Sequence, residues 1–145
     1  MSVVEAALGL SFLLSTLRAD PTLVSLSPGG IRHGAMPVGS SYPGTVVEFQ
    51  SGTDVIYTNG IRSSVDALYQ VKAVGLLDDP QPVVDLASQI DATLGGTQGL
   101  KNVFIPSGYV PSCYQESPLL LTDVNKSGVQ FMYLGGLWRV RIQQR

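Results

Sequence analysis

The sequence predicts an α+β fold: a mainly antiparallel β-sheet with two α-helices packed on one face, plus a projecting β-hairpin. Three observations support this prediction. Residues 3–18 and 79–94 carry apolar side chains at helical spacing between capping signals. Several shorter stretches alternate apolar and polar residues, as half-buried strands do. An Asn59-Gly60 pair separates two β-prone runs, which is typical of a tight hairpin turn. With 145 residues, we expect a single domain over residues 1–145.

The opening helix is expected over residues 3–18, with a capping box formed by Ser2 and Glu5. Its apolar arc is broad, so the helix either packs only on its own core or also touches a neighbouring subunit. Asp20-Pro21 is a helix restart signal, because Asp20 can cap and proline suits a first helical position, and a short turn is predicted through Leu26. On the opening helix, the main apolar face comprises Val4, Ala7, Leu8, Ser11 and Leu14, and Val3, Leu10, Leu13 and Leu17 widen the apolar arc.

The middle of the chain reads as strands around a loop. A short strand is predicted at residues 31–33, a loop at 34–44 and a strand at 45–50. The hairpin follows over residues 54–64, with Asn59-Gly60 in a type I′ turn. A further strand is expected over 68–74.

The second long helix is predicted to begin with Asp79 as its cap and to end near Leu94, where Gly95 supplies a stop. Its core stripe consists of Val83, Leu86, Ala87, Ile90 and Leu94. Residues 97–112 are read as a loop with a short apolar run, and 114–117 as a short strand. Residues 118–127 are read as a connection with a turn at 125–128.

The closing stretch, residues 128–143, alternates strongly but changes parity at Gly135-Gly136. A bulge or bend is therefore expected at these glycines. Trp138 is predicted to anchor the core. Arg139 and Arg141 share the opposite face, which is either an ordinary solvated face or a contact stripe for a subunit or partner.

Composition excludes some classes of function. A net charge of -2 argues against sequence-independent nucleic-acid binding. Charged residues make up only 14% of the chain, which suggests that surface is buried against other subunits or a partner. The apolar N-terminal run is too short and interrupted to span a bilayer, so we expect a soluble protein that is not secreted and binds no membrane.

No stretch of the sequence predicts an enzyme, a cofactor or a metal site. His33 has no convergent partners for base catalysis or metal binding, so a structural or surface role is expected. Cys113 is the one cysteine, which rules out an intrachain disulfide; it is expected to be an inert thiol in a reducing compartment. The glycines at 95, 96 and 99 lack the Gly-Lys-Ser/Thr ending of a phosphate loop.

Taken together, these features resemble the tail-completion (tail-terminator) proteins of long-tailed bacteriophages. The resemblance spans nearly the whole chain and lies in the order of its segments: LRADPTL at 17–23, GIRH at 30–33, TVVEFQ at 45–50, LYQVKA at 68–73 and the strand 131–142. Two stretches depart from the family pattern. Residues 97–111 form a longer segment, and Gly135-Gly136 interrupts the last strand.

The resemblance implies a non-enzymatic virion protein, assembled in the host cytoplasm and located at the tail or neck. Such a protein forms a ring, usually a hexamer, that caps the tail tube, stops its polymerisation and joins the head connector or stopper protein. Genomic DNA would pass through the lumen without specific binding. The candidate subunit or partner contacts are Val55, Tyr57, Asn59, Gly60, Arg62, Arg139 and Arg141.

Two alternatives remain open. One is another neck or tail component, such as a stopper or tube-like subunit. The other is a small α+β ligand-binding domain or enzyme, with a pocket that would have to be lined by Tyr57, Tyr69 or Tyr114.

Overall fold

The computed structural model describes residues 3–37, 39–56, 60 and 62–144, with only the backbone of Arg62. The predicted fold class is confirmed: helices and a six-stranded, mostly antiparallel sheet form one α+β unit. The sheet order is β1-β2-β3-β6-β5-β4, and only the β1–β2 pair is parallel. The elements are α1 (Val3–Arg18), α2 (Pro21–Leu26), β1 (Ile31–His33), β2 (Gly44–Ile56), β3 (Arg62–Leu76), α3 (Gln81–Thr93), β4 (Leu100–Ile105), β5 (Gly108–Val124) and β6 (Gln130–Gln144).

The core lies between one face of the sheet and the helices α1 and α3. Trp138 on β6 and Tyr69 on β3 are direct cross-strand neighbours at its centre, and both are almost fully buried. Helix α3 packs on the same core with the predicted stripe, of which Val83, Leu86 and Ile90 are buried. Burial of large aromatic rings such as these removes apolar area from water and stabilises the fold.

Helix α1 has the predicted bounds but turns a different face to the core. The buried positions are Glu5, Gly9, Phe12, Leu13 and Leu17. Val4, Ala7 and Ser11, which were predicted to face the core, are exposed. A Cβ on Gly9 would collide with the Tyr69 hydroxyl, so glycine allows the helix to approach the sheet closely at this position. Ser2, the other half of the predicted capping box, lies outside the described residues.

The helix ends were predicted with mixed success. Asp20 caps α2 as expected, because its side chain accepts a hydrogen bond from the Thr22 N–H at 3.0 Å. The predicted Asp79 cap of α3 is wrong, since Pro80 occupies the cap position and no side chain caps the helix. At the other end, Gly95 with φ +98° stops α3, and the N–H groups of Gly95 and Gly96 bond back to Ala92 and Asp91.

The strands are longer than predicted. The expected strand at 45–50 and the first arm of the hairpin form one strand, β2, and the second arm joins the 68–74 strand in β3. The predicted loop 97–112 contains β4 and a tight turn into β5. The predicted connection 118–127 continues β5 as far as Val124. These stretches are extended because they pair with neighbouring strands, a cause that local sequence does not reveal.

The predicted bulge in β6 at Gly135-Gly136 is also wrong. β6 pairs with β3 in an unbroken register from Phe131 to Ile142. The irregularity lies on the neighbouring strand, where β5 has an extra residue between Gln115 and Ser117. The apolar residues change parity because both faces of β6 are used: Trp138 faces the helices, whereas Phe131 and Tyr133 line a groove on the opposite face.

Candidate interaction surfaces

The face of the sheet that points away from the helices, here called the outer face, holds a groove with a volume of about 850 Å³. Strands β2, β3 and β6 form its floor. Residues 34–37, 39, 40 and 42 form one wall, here called the loop wall, and the end of the β5–β6 hairpin forms the other. Its lining residues include Met36, Pro37, Tyr42, Val46, Glu48, Lys72, Val74, Leu76, Leu121, Asp123, Val129, Phe131 and Tyr133.

Aromatic and sulfur contacts hold the loop over the groove. The Tyr42 ring packs against the Phe131 ring with centroids 5.4 Å apart. A Cβ on Gly29 or Gly44 would collide with the Met36 methyl group, so these glycines let Met36 lie directly on the backbone. The loop wall is therefore anchored to the sheet by packing at both of its ends.

The positive charge of Lys72 inside the groove is matched within the chain. The Lys72 ammonium donates to Gln70 Oε1 at 3.0 Å, lies 3.6 Å from Glu48 Oε2 and sits 5.2 Å from the centroid of the Tyr133 ring. Burial raises the pKa of Tyr133, and the nearby charges of Asp123 and Glu48 raise it further. Lys72 is the one basic residue among the described lining residues, and its charge is already matched. The groove thus suits an apolar segment better than a free anion.

Arg139 and Arg141 lie on the outer face of β6, as predicted. Each guanidinium forms a two-pronged contact within the chain. Arg139 donates to both Glu116 oxygens at 3.0 Å. Arg141 donates to Asp66 at 3.0 and 3.1 Å, and this bonding raises the pKa of Arg141. A partner that uses these arginines would meet two preformed, planar ion pairs instead of mobile cations.

The predicted hairpin contacts lie at the same end of the sheet as these arginines. Val55 is half-buried and opposite Ser64, and Arg62 pairs through its backbone with Ile56. Gly60 has φ +82°, as a tight turn requires. Tyr57 and Asn59 lie outside the described residues, so their predicted role stays a prediction. The structure therefore places Val55 on β2, Gly60 and the backbone of Arg62 on β3 at one end of the sheet. Arg141 lies on β6, the strand beside β3.

Sequence reasoning missed an exposed apolar patch at the end of the β5–β6 hairpin. Leu120, Leu121 and Val124 are 62%, 50% and 55% exposed, and Val129 is 41% exposed. The sequence places Leu120, Leu121 and Val124 in a predicted connection and Val129 in the closing stretch. The run Pro-Leu-Leu-Leu at 118–121 before the Asn125–Gly128 turn was the signal that could have identified a hairpin arm. Exposed apolar side chains grouped in this way are typical of protein contact sites.

In the part of the chain that the structure describes, Cys113, Tyr69 and Tyr114 lie apart from the groove lining. Burial raises the pKa of the Cys113 thiol to about 12, so this residue is protonated at neutral pH and inert. Tyr69 belongs to the core, not to a pocket, and Tyr114 is absent from the groove lining; the groove tyrosines are Tyr42 and Tyr133. Within the described part of the chain, no group of histidine, cysteine and carboxylate side chains could hold a metal ion. None of the helices described here is long and apolar enough to cross a bilayer.

Comparisons with known proteins identify a shared fold. No protein-family model matches this sequence, and no curated protein matches it. A chain in the solved virion of a native gene transfer agent (GTA) particle has a similar structure, with a TM-score of 0.57. The two chains are 16% identical, and the similarity covers 90% of each. The alignment therefore includes the helices and the sheet together.

Proposed function

We propose that this protein is a structural subunit of a phage-like virion, and that it forms a ring that terminates the tail tube. The observation that carries the proposal is the fold shared, over nine-tenths of both chains, with a chain of a GTA virion particle. The order of segments along the sequence independently resembles tail-terminator proteins.

The surface of the chain supports a role in assembly over one in catalysis. Only 14% of its residues are charged. Large apolar side chains are exposed at the β5–β6 hairpin, at Ile56 near the β2–β3 turn and at Val3 in the first turn of α1. Contacts with other subunits would remove this apolar area from water and so favour association.

In the proposed assembly, copies of the chain form a hexameric ring at the end of the tail tube. One side of the ring contacts the tube protein and stops its polymerisation, and the other contacts the head connector or stopper protein. The lumen passes genomic DNA without gripping it, because a mildly acidic chain offers few cations to displace phosphate counterions. A ring lumen lined with basic residues would contradict this last point.

The proposal is tested by measuring the mass of the purified protein in solution and imaging it by negative-stain electron microscopy. We expect a closed ring with a central hole. Added to growing tail tubes of the same phage-like particle, the ring should bind one end and block further addition of tube subunits. A stable monomer at high concentration that binds no tube would overturn the proposal.

The same experiment separates the alternative virion roles. A tube-like subunit would polymerise into long tubes by itself or join the growing tube along its length. A stopper would bind the connector but leave tube growth unaffected. Only a terminator shortens the tubes without being incorporated into them.

A further inference from the structure

Both edges of the sheet are only half covered by an edge strand. β1 pairs with β2 only along Thr45–Val47, and β4 pairs with β5 only from Gly108 to Cys113. In the described residues, no strand lies beside the rest of β2 (48–56) or the rest of β5 (114–124). These two segments, here called the open β2 edge and the open β5 edge, are exposed or half-buried throughout. Exposed edges of this length are templates for pairing with another chain.

The open β5 edge presents free backbone donors. Pro118 has no N–H, so its pair with Gly136 belongs to the type that is not hydrogen-bonded to β6. The same alternation turns the backbone of residues 120, 122 and 124 away from β6. Val124 agrees with this orientation, because its N–H donates to Asp123 Oδ1. The N–H groups of Leu120 and Thr122 therefore point to the open edge, with no bonding partner among the described residues.

Strand direction determines how a second copy can pair. The pairs β2–β3, β3–β6 and β6–β5 are all antiparallel, so β2 and β5 of one chain run in opposite directions. When a second copy is related to the first by rotation about a ring axis, its strands keep the same direction relative to that axis. Its open β2 edge then runs antiparallel to the open β5 edge of the first copy. Antiparallel pairing allows straight hydrogen bonds between the two edges.

We propose that neighbouring copies join by this pairing, so that one sheet continues from subunit to subunit. The inference rests on the proposed ring and specifies its contact as head-to-tail, with different surfaces meeting. Side-chain chemistry agrees with it. Phe49 and Ile56 are exposed along one edge, and Leu120 and Leu121 along the other. Of the carboxylates on these edges, Glu48 and Glu116 each form an ion pair within their own chain, and Asp123 accepts a hydrogen bond from the Val124 N–H.

The edge strands require the copies to be staggered. β1 covers β2 at one end of the sheet and β4 covers β5 at the other, so the two open edges meet only after a shift along the strands. Across the sheet, Ser51 lies level with Arg139 of β6 and Leu121 lies level with Tyr133, so bringing Ser51 opposite Leu121 takes a shift of six residues, or roughly 20 Å. In a closed ring, such a shift is accommodated when the strands tilt relative to the ring axis.

Cysteine cross-linking of the full chain tests this pairing, because the natural Cys113 is buried and should not react. On the outer face, Ser51→Cys or Thr53→Cys on the open β2 edge is mixed with Leu119→Cys or Leu121→Cys on the open β5 edge. The four mixtures sample neighbouring registers. At least one should give a disulfide-linked heterodimer on a non-reducing gel, since paired strands bring Cβ atoms within bonding range. Thr122→Cys, on the helix side of β5, is the matched control and should not link to Ser51→Cys.

The outcomes separate the two proposals. If rings form but no mixture gives a cross-link, the edge pairing is overturned and the ring proposal stands. Disulfide dimers of the Leu121→Cys variant alone would show β5 pairing with β5, which also overturns it. A monomer under all conditions would overturn both.

As a second test, Thr122→Pro removes one outward N–H and should abolish assembly while leaving the circular dichroism spectrum of the fold unchanged. Thr122→Val keeps the N–H and should assemble normally. Normal assembly of Thr122→Pro would count against the pairing.

Discussion

At the scale of single residues, close contact between a helix and the sheet determines which amino acid a position can hold. Gly9 lies in the middle of α1, where glycine ordinarily costs helix stability. Glycine is needed at this position because the Tyr69 hydroxyl lies against the helix. This hydroxyl donates to the Ala6 carbonyl at 2.6 Å. Burial also raises the pKa of Tyr69, so its hydroxyl stays protonated and remains a donor.

Replacing Gly9 with alanine should destabilise the protein in spite of the better helix propensity of alanine. The added Cβ would lie 2.7 Å from Ile142 Cδ1 and closer still to Tyr69. Overpacking of this kind costs roughly 1–3 kcal/mol of unfolding free energy. Urea denaturation measures the loss. Ser11→Ala, on the exposed side of the same helix, is the control and should be neutral or slightly stabilising; equal behaviour of the two variants would contradict the packing.

Asp20 should make stability depend on pH. Hydrogen bonds from Thr93 and then Gln89, with smaller contributions from backbone N–H groups, lower the pKa of Asp20 from its ordinary value of 3.8. A lowered carboxylate pKa stabilises the folded state above pH 3.8, and this contribution is lost as pH falls through the folded-state pKa. Asp20→Ala should therefore lower the urea midpoint most at neutral pH, and the difference from wild type should narrow below pH 3.8. A difference that is constant from pH 7 to pH 3 would contradict this account.

At the scale of elements, β6 organises the sheet by using both of its faces. Its register with β3 is continuous, and the extra residue on β5 lies beside the glycine pair. A Cβ on Gly135 would collide with the Val71 carbonyl of β3, and one on Gly136 with the Gln115 side chain of β5. The glycines are needed for this close approach of three strands. The strand itself does not break.

Replacing both Arg139 and Arg141 with alanine should leave folding nearly intact and weaken ring or partner assembly. Each arginine forms an exposed or half-exposed ion pair, and such pairs contribute about 0.2–1 kcal/mol to stability. Thermal unfolding measures the fold and light scattering the assembly. Lys101→Ala with Lys126→Ala removes the same charge elsewhere and is the control. Unchanged assembly of the arginine variant would favour the simpler role of a solvated strand face.

At the scale of the whole molecule, the chain has little charge and exposes apolar side chains at the β5–β6 and β2–β3 ends. The helices cover the core on one face of the sheet, the other face holds the groove, and both half-covered edges lack a further strand in the described residues. A surface of this kind is expected to be stabilised by association.

The apparent unfolding temperature should rise with protein concentration if folded copies assemble. Mass action favours the folded ring as concentration increases, and we expect roughly 3 °C for each tenfold step. Differential scanning fluorimetry over a hundredfold concentration range measures this shift. The Thr122→Pro variant should show no such dependence. A wild-type unfolding temperature independent of concentration would argue against assembly of the folded chain.

Sequence reasoning predicted local features more reliably than strand lengths or the packed face of α1. The bounds of α1, the Asp20 cap and the Gly95 stop follow from interactions within a few residues, so their signals are local. The Asp79 cap failed because α3 begins at Gln81, which leaves Pro80 and not Asp79 at the cap position. Of the candidate contacts, the shared face of Arg139 and Arg141 followed from alternation. The ion pairs of these two arginines could not be predicted in this way, because their partners Glu116 and Asp66 are distant in sequence.

The sequence by itself determined the α+β class, the positions of the two long helices and the core position of Trp138, because helical spacing and alternation are properties of neighbouring residues. The tertiary structure decided which face of α1 is buried, how far β2, β3 and β5 extend, and that Phe131 and Tyr133 line a groove. Those outcomes depend on hydrogen bonds and contacts between residues far apart in the chain. A strand continues where a partner strand satisfies its backbone, and a side chain is buried where another element covers it.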